Sequence, residues 1–143
     1  MPGLPPVILV AEDDAATLSL LEAALADEGY TPVCCQGEED TMAQVLAACP
    51  DLLIVDLHLQ KPDSGVHIVE RLRQYAGTRD LPVLVCSADL QFLRECGAPL
   101  RALGCDLLEK PFELDELLAK VAAGLRRVVQ AGSPAPAAMP SPA

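Results

Sequence analysis

The sequence predicts a doubly wound α/β fold, in which helices cover both faces of a parallel sheet. Short apolar runs of four or five residues alternate with stretches of helical period about five times along the chain. The runs are rich in Val, Ile and Leu, as strands buried on both faces of a parallel sheet are. In folds of this kind, ligands bind in the crevice outside the carboxyl ends of the strands.

Four apolar runs are candidate strands, because each is too short to be a buried helix. They are VILVA at 7–11, LLIV at 52–55, LPVLV at 81–85 and a shorter run at 106–109. Each run stops abruptly at polar residues. These residues are Glu12, Asp13 and Asp14 after the first run, Asp56 after the second, Ser87 after the third and Lys110 after the fourth.

Three stretches between the runs carry apolar residues on one helical face. Their stripes are Leu18, Leu21 and Leu25, then Met42, Val45, Leu46 and Cys49, then Leu114, Leu117, Leu118, Val121 and Leu125. Asp14 is expected to cap the first helix. Gly97 and Pro99 argue against a continuous fourth helix, so we predict a loop as far as Cys96 and a short helix from Ala98.

Length and composition favour one domain, because 143 residues with 51% in the apolar set support a single core. We predict a folded domain over residues 1–130 and a disordered tail over 131–143, where four prolines and no charge occur. The leader Met1 to Pro6 has no basic segment, and no run approaches the ~20 apolar residues of a membrane span. A soluble, cytoplasmic protein without membrane partners is therefore expected.

Charge and cysteine content exclude two further classes of site. A net charge of −11 argues against nucleic-acid binding, which depends on basic patches. Arg126 and Arg127 instead complement the dipole of the last helix. The six cysteines include no C-x-x-C pair, and we interpret them as small apolar residues that remain reduced.

The acids at the strand ends point to a metal site. Glu12, Asp13 and Asp56 would lie close together, and three carboxylates repel one another unless a cation joins them. Mg²⁺ prefers oxygen ligands and retains waters that a phosphate oxygen can replace. The alternative is that these acids are solvated strand ends without a ligand.

Lys110 and Ser87 extend that site toward a phosphoryl group. Asp56 would attack a phosphorus atom in line, and the ammonium and the hydroxyl would each contact one of the oxygens bound to that phosphorus. The product would be an acyl phosphate. As alternatives, Lys110 is a plain surface lysine and the Ser87 hydroxyl bonds only to the local backbone.

The order and spacing of several motifs resemble the receiver domain of two-component response regulators, in its stand-alone, CheY-like form. The motifs are VILVAEDD, PDLLIVDLHL, the Ser64–Gly65 pair, LPVLVCSA, LGCD, and LLEKPF followed by ELDELL. The resemblance covers about residues 6–130. It implies a flavodoxin-like sheet of five parallel strands in the order 2-1-3-4-5, with about five helices.

The resemblance also implies a role for each site residue. Asp56 would be the phosphoacceptor, Glu12 and Asp13 the acidic pair with Asp13 as direct ligand, and the main-chain carbonyl of His58 would complete the Mg²⁺ shell. Ser87 would be the switch hydroxyl, and Lys110 would contact the phosphate and precede a cis peptide bond to Pro111.

Two departures from the family's pattern affect the loop after the acceptor and the switch. Gln60 occupies a position where the family usually has proline, and one extra residue precedes the glycine. Leu107 occupies the position of an aromatic residue that normally partners the switch hydroxyl. Leucine can form no hydroxyl hydrogen bond, so the usual aromatic coupling is in question.

We therefore predict a signalling receiver rather than an enzyme, phosphorylated on Asp56 by a sensor histidine kinase or a phosphotransfer protein. Its output would be a surface offered to a downstream protein, and it would be a monomer or a phosphorylation-dependent homodimer. One alternative is a phosphate sink or relay with a weakened switch. Another is an aspartate-nucleophile phosphatase, which needs a second acid where this chain has His58.

Two histidines receive different interpretations. His67, in the third helix, is expected to be exposed or partly packed and to take no part in phosphoryl transfer. His58 lies two residues after the acceptor, and we hypothesise that its side chain controls access of water to the acyl phosphate.

Overall fold

The computed structural model describes residues 4–132 of the chain, with side chains as far as residue 127. Five strands alternate with five helices along these residues. The strands are β1 Val7–Ala11, β2 Thr31–Cys35, β3 Leu52–Asp56, β4 Val83–Ser87 and β5 Cys105–Glu109. The helices are α1 Ala15–Asp27, α2 Glu38–Ala48, α3 Ser64–Arg73, α4 Leu90–Ala102 and α5 Leu114–Gly132. The tail predicted for 131–143 lies outside the described residues, except for the two that end α5.

The strands form one parallel sheet in the order β2-β1-β3-β4-β5. The predicted fold class, strand order and approximate number of helices are confirmed. β2 was not delimited by an apolar run, and the reason is its place at the edge of the sheet. Only Cys35 of this strand is fully buried, and Pro32 is tolerated because an edge strand has one unpaired side.

Alternate residues of the strands enter two separate cores, one on each face of the sheet. Leu9, Leu53 and Val85 face the side covered by α2, α3 and α4. Ile8, Ile54 and Leu84 face the side covered by α1 and α5. Burying a side chain of this size contributes about 1.5–3 kcal/mol, so the two cores hold the strand ends in fixed positions.

α1 begins where the sequence predicts. Asp14 is its N-cap, and its carboxylate accepts a hydrogen bond from the amide of Thr17 at 3.0 Å. Hydrogen bonds from the Thr17 side chain and amide lower the pKa of Asp14. Leu21 and Leu25 are buried, as the predicted stripe requires, and Leu18 is partly buried.

The stripe predicted for α2 is only half correct. Met42 and Val45 are buried, whereas Leu46 is 74% exposed and Cys49 is also exposed. The helix ends at Ala48, and Cys49 adopts a left-handed conformation as its C-cap, with φ of 49°. Leu46 lies ~100° around the helix from Val45, beyond the narrow face that contacts the sheet and α3.

The prediction of a broken fourth helix is wrong, because α4 is continuous from Leu90 to Ala102 and includes Pro99. Asp89 caps its start by accepting a hydrogen bond from the amide of Phe92 at 3.0 Å. Leu93, Gly97 and Leu100 are buried at a spacing of i, i+4, i+7 against β5 and the sheet. This packing offsets the single backbone hydrogen bond that a proline inside a helix removes.

The loop between β3 and α3 carries two residues in the left-handed region, Gln60 with φ of 63° and Asp63 with φ of 56°. It ends where Gly65 approaches the strand closely. A Cβ at Gly65 would lie 2.9 Å from the Cα of Leu57, so only glycine fits there. No helix within residues 4–132 is long and apolar enough to cross a membrane.

Candidate functional site

Three carboxyl groups meet at the carboxyl edge of the sheet. Glu12 and Asp13 directly follow β1, and Asp56 ends β3. β1 and β3 are neighbours in register, with Ala11 opposite Val55, so their ends coincide. One carboxylate oxygen from each of the three acids lies within 4.8 Å of the others. Glu12 is buried, Asp56 is partly buried and Asp13 is exposed.

Lys110 joins the cluster from the end of β5. Its Nζ donates to Glu12 Oε1 at 2.7 Å and to Asp56 Oδ2 at 3.3 Å. Burial raises the pKa of Glu12, although the Lys110 hydrogen bond opposes the shift. Burial lowers the pKa of Lys110, but the bonds and charges of Glu12 and Asp56 outweigh it and raise the pKa above its ordinary value. The ammonium therefore stays charged and partly neutralises the acids.

Main-chain amides donate to two of the acids, Asp56 and Asp13. The amide of His58 donates to Asp56 Oδ1 at 3.2 Å, so each oxygen of Asp56 has its own donor. The amide of Gln60 donates to Asp13 Oδ2 at 3.2 Å. A proline at position 60 could not form this bond, because it has no amide hydrogen.

Ser87 ends β4 and is 1% exposed. Its neighbour Cys86 pairs with Asp56 across β3 and β4, so Ser87 lies at the same edge of the sheet as the acids. Ser87 Oγ accepts a hydrogen bond from the amide of Asp89 at 3.0 Å, and the Ser87 carbonyl accepts one from the amide of Lys110 at 2.8 Å. Accepting a bond leaves the hydroxyl hydrogen available to donate.

The donor set suits a hard divalent cation. Glu12, Asp13 and Asp56 supply only oxygen atoms, and their mutual repulsion falls when a cation is shared. Among the described residues this group includes no thiol. Cys86, which pairs with Asp56 across the sheet, has a pKa raised to about 12 by burial and so does not supply a soft thiolate.

Comparison with known proteins identifies the family. The model of the response regulator receiver domain matches residues 8–122, which is most of the chain. The chain belongs to the response regulator receiver family. Receivers of this family act in signalling by two-component systems, and they interact with histidine kinases or phosphotransfer proteins.

Curated relatives of this receiver are longer than the chain. It is 36% identical over 120 residues to response regulator MprA of Mycobacterium ulcerans, covering 84% of this chain and 50% of that protein. It is 37% identical over 124 residues to the DNA-binding dual master transcriptional regulator RpaA of Synechocystis sp., covering 85% and 50%. The chain therefore spans about half the length of these relatives.

Solved structures agree on the fold. A signal receiver domain from Vibrio parahaemolyticus matches with a TM-score of 0.80 and 25% identity, covering 90% of this chain and 95% of that one. A CheY-like receiver domain protein from Methanospirillum hungatei matches with a TM-score of 0.79 and 19% identity, covering 90% and 99%. The second likeness, at this identity, concerns the fold alone.

The receiver's predicted site residues converge, whereas their individual roles stay predictions. Glu12, Asp13, Asp56 and Lys110 meet directly, and Ser87 lies at the same edge of the sheet. The Lys110–Pro111 peptide bond is cis, as predicted. His67 is exposed, with 3.9 Å between its Nε2 and Asp63 Oδ2.

Sequence reasoning missed Asp89. The His58 imidazole reaches this carboxylate, with 3.1 Å between Nε2 and Oδ2, rather than pointing freely over the acids. An aspartate before an apolar stripe signals a helix cap, and that signal could have located Asp89 as the start of α4. Its contact with His58 spans 31 positions and has no signature in the sequence.

Proposed function

We propose that this receiver accepts a phosphoryl group on Asp56 from the phosphohistidine of a sensor kinase or phosphotransfer protein, with Mg²⁺ bound at the acid cluster. The observation that carries the proposal is the contact of one charged lysine with two of three clustered acids. Lys110 Nζ lies 2.7 Å from Glu12 and 3.3 Å from Asp56. The lysine, and a cation held by the acids, would offset the negative charge that develops on the phosphoryl oxygens during transfer.

In the proposed reaction an Asp56 oxygen forms a bond to phosphorus while the bond from phosphorus to the histidine nitrogen breaks. The histidine nitrogen keeps the electron pair, so no general acid of the receiver is required. Asp13, Asp56 and the main-chain carbonyl of His58 would hold the ion, with Glu12 beside them. The ion would neutralise charge on the phosphoryl oxygens.

Two other residues would meet those oxygens. Lys110 already lies against Asp56 and can exchange that contact for a phosphoryl oxygen without moving far. Ser87 accepts a bond from the Asp89 amide, so its own hydrogen can be donated to a second phosphoryl oxygen. Ser87 ends β4, which precedes α4, and Lys110 directly follows β5, which precedes α5.

We propose that output occurs through the face formed by α4, β5 and α5. A groove of about 430 Å³ runs along this face, lined in part by Leu93, Leu107 and Lys120. Movement of Ser87 and Lys110 toward a phosphoryl group would shift the population of two arrangements of this face. A downstream protein, or a second copy of the chain, would bind one arrangement better.

A phosphate sink or relay is the second candidate, and the observation that favours it is Leu107. This partly buried leucine packs against the core where an aromatic switch partner is expected. A receiver without that partner could be phosphorylated while its output face changes little.

The proposal is tested with acetyl phosphate and with beryllofluoride, each with and without Mg²⁺. We expect a mass gain of one phosphoryl group and Mg²⁺-dependent shifts of the amides next to the acid cluster. Asp56→Asn should abolish both responses. Asp14→Asn is the matched control, because Asp14 also follows β1 but caps α1 outside the cluster.

An unchanged response in Asp56→Asn would contradict the proposal, and so would a wild type that never responds. The two candidates separate in the same spectra. Shifts confined to the strand ends favour a sink, whereas shifts that extend to Leu100 and Leu117 favour a switch. Turnover of a generic phosphomonoester would instead support the phosphatase hypothesis.

A further inference from the structure

The His58 side chain connects the acceptor loop with the beginning of α4. Its Nδ1 accepts a hydrogen bond from the amide of Asp63 at 3.1 Å. A nitrogen that accepts carries no hydrogen, so the neutral ring bears its hydrogen on Nε2, which donates to Asp89 Oδ2 at 3.1 Å. The ring also meets Phe92 edge to face, with 4.9 Å between centroids and 85° between planes. Three contacts therefore fix the orientation of this imidazole.

Asp89 joins three elements of the site. Its amide donates to Ser87 Oγ, its Oδ1 accepts from the amide of Phe92 in the first turn of α4, and its Oδ2 meets His58. The Phe92 amide and then the His58 ring lower the pKa of Asp89. Asp89 thus contacts the switch hydroxyl through its amide, and it contacts both α4 and the loop that follows Asp56 through its carboxylate.

We propose that the contact between His58 and Asp89 positions the start of α4 and transmits movement of the acceptor loop and Ser87 to that helix. This inference rests on the proposed phosphorylation of Asp56. The contact connects the acid cluster with α4, which the leucine at position 107 cannot do in the way an aromatic residue there would. His58 and Asp89 act as positioning residues, because their side chains form hydrogen bonds to one another and to the amides of Asp63 and Phe92 rather than to the acids of the cluster.

The packing of α4 explains why its first turn matters. Leu93, Gly97 and Leu100 are buried, and a Cβ at Gly97 would lie 3.4 Å from Leu107 Cδ1. The helix therefore lies tightly on β5 and moves as a unit. A displacement of Asp89, at the capped end of the helix, would therefore shift the face of α4 that packs against Leu107. The Leu107 side chain has no polar group that could bond to Ser87 and transmit such a displacement.

The contact is tested first in the free protein by a double-mutant cycle. Asp89→Ser keeps a capping oxygen for α4 but is too short to reach the imidazole. His58→Ala should speed amide hydrogen exchange of Phe92 by roughly two- to fivefold in the wild-type background, the range for a partly exposed hydrogen bond. In the Asp89→Ser background the same substitution should have a clearly smaller effect, which reports only the loss of the ring contact with Phe92. The loss of the Phe92 ring contact cancels in this comparison.

His67→Ala is the matched control, since this second histidine is exposed and its Nε2 lies 3.9 Å from Asp63 Oδ2, beyond hydrogen-bond distance. We expect no change at Phe92 in that variant. An equal effect of His58→Ala in both backgrounds would show that the ring only packs against Phe92, and would overturn the contact's role.

Transmission is tested by adding beryllofluoride and Mg²⁺ to each variant and following amide shifts. In the wild type and His67→Ala, amides near Asp56 and in α4 should both shift. In Asp89→Ser, the amides near Asp56 should shift fully while those of α4 shift by less than half. In His58→Ala, the ratio of the α4 shifts to the shifts near Asp56 should fall to less than half of the wild-type ratio. His58→Gln retains a donor near the position of Nε2 and should recover most of the α4 response.

The outcomes separate the two levels of the proposal. Full α4 shifts in both His58→Ala and Asp89→Ser would overturn transmission while leaving phosphorylation of Asp56 intact. A wild type whose amides near Asp56 do not respond at all would contradict the proposed function, and transmission would fall with it.

Discussion

At the scale of single residues, the two oxygens of Asp56 have different partners. Oδ1 accepts from the amide of His58, and Oδ2 accepts from Lys110. The backbone donor is fixed by the turn after β3, whereas the lysine donor is carried on a flexible side chain. The oxygen facing Lys110 therefore lies in the part of the site that would rearrange around the proposed phosphoryl group.

Gln60→Pro should weaken Mg²⁺ binding. Proline removes the amide that donates to Asp13, and its φ near −65° is incompatible with the observed 63°. Loss of such a supporting contact typically costs about tenfold or more in metal affinity, so a fall of about tenfold is expected. Calorimetric titration with MgCl₂ measures it.

Gln60→Gly is the control for that variant. Glycine keeps the amide and adopts positive φ freely, so affinity should stay near that of the wild type. Equal losses in both variants would assign the effect to the Gln60 side chain, which lies against Gly37, rather than to the amide.

The cysteines should differ sharply in reactivity at pH 8. Burial raises the pKa of Cys35 to about 11 and that of Cys86 to about 12, from an ordinary 9.0. Because the thiolate is the reactive form, both should resist alkylation until the pH approaches those values or the chain unfolds. The exposed Cys49 should react first.

Mass spectrometry of peptides after timed alkylation measures the order of reaction. A urea-unfolded sample supplies the reference in which all six thiols react. Labelling of Cys86 in the folded protein as fast as Cys49 would contradict the assignment of these cysteines as structural.

At the scale of elements, α4 shows how packing overrides a local signal. Gly97 and Pro99 both disfavour helix, yet the helix runs past them because Leu93 and Leu100 are buried on either side. The glycine also has a positive function, since it lets the helix lie close to Leu107 on β5. Residues that weaken the helix by propensity therefore permit its contact with the sheet.

Pro99→Ala should stabilise the protein. Pro99 is exposed, so the change loses no packing, and alanine restores a backbone donor inside the helix. A proline in a helix interior costs ~3 kcal/mol, and its restriction of the unfolded chain returns part of that, so a net gain of about 2 kcal/mol is expected. Urea unfolding measures the gain.

Pro62→Ala is the matched control, because Pro62 is an exposed proline in a loop. There the substitution only frees the unfolded chain, so it should leave stability unchanged or slightly lower. A similar gain at both positions would contradict the account based on the helix.

At the scale of the whole molecule, the strand order brings together site residues that are far apart in the sequence. β1 lies between β2 and β3, and β5 at the far edge brings Lys110 within reach of Glu12, 98 positions away. Folding therefore assembles a concentrated negative charge around one lysine. The acid cluster opposes folding unless that lysine or a bound cation offsets it.

Lys110→Met should lower the free energy of unfolding without Mg²⁺. Removing one member of a fully buried ion pair costs about 3–5 kcal/mol, and the partial exposure of Lys110 reduces the expected loss to about 2 kcal/mol. Lys120→Met is the control, because its pair with Asp106 lies outside the cluster. That loss should be within about 1 kcal/mol.

Mg²⁺ should stabilise the wild type by mass action, by about 2.7 kcal/mol at 100 times the dissociation constant. Thermal unfolding with a MgCl₂ series, followed by EDTA, measures the effect and its reversal. A melting temperature independent of Mg²⁺ would contradict the assignment of Glu12, Asp13 and Asp56 as a cation site.

The sequence by itself determined the fold class, most strand positions and the acids, hydroxyl and lysine at the strand ends. These follow from local information, because apolar runs mark buried strands and parallel strands end at one edge. It misplaced Leu46 and divided α4, since the width of a buried face depends on which neighbours cover it.

Only the tertiary structure decided the contacts that support the site. The bonds from Gln60 to Asp13 and from His58 to Asp89 join residues 47 and 31 positions apart. Neither pair has a periodicity or motif, because each depends on the path of a loop with two residues at positive φ. The residue types at the strand ends specify the chemistry of this receiver, whereas the geometry of the loops specifies which contacts support the site and connect it to α4.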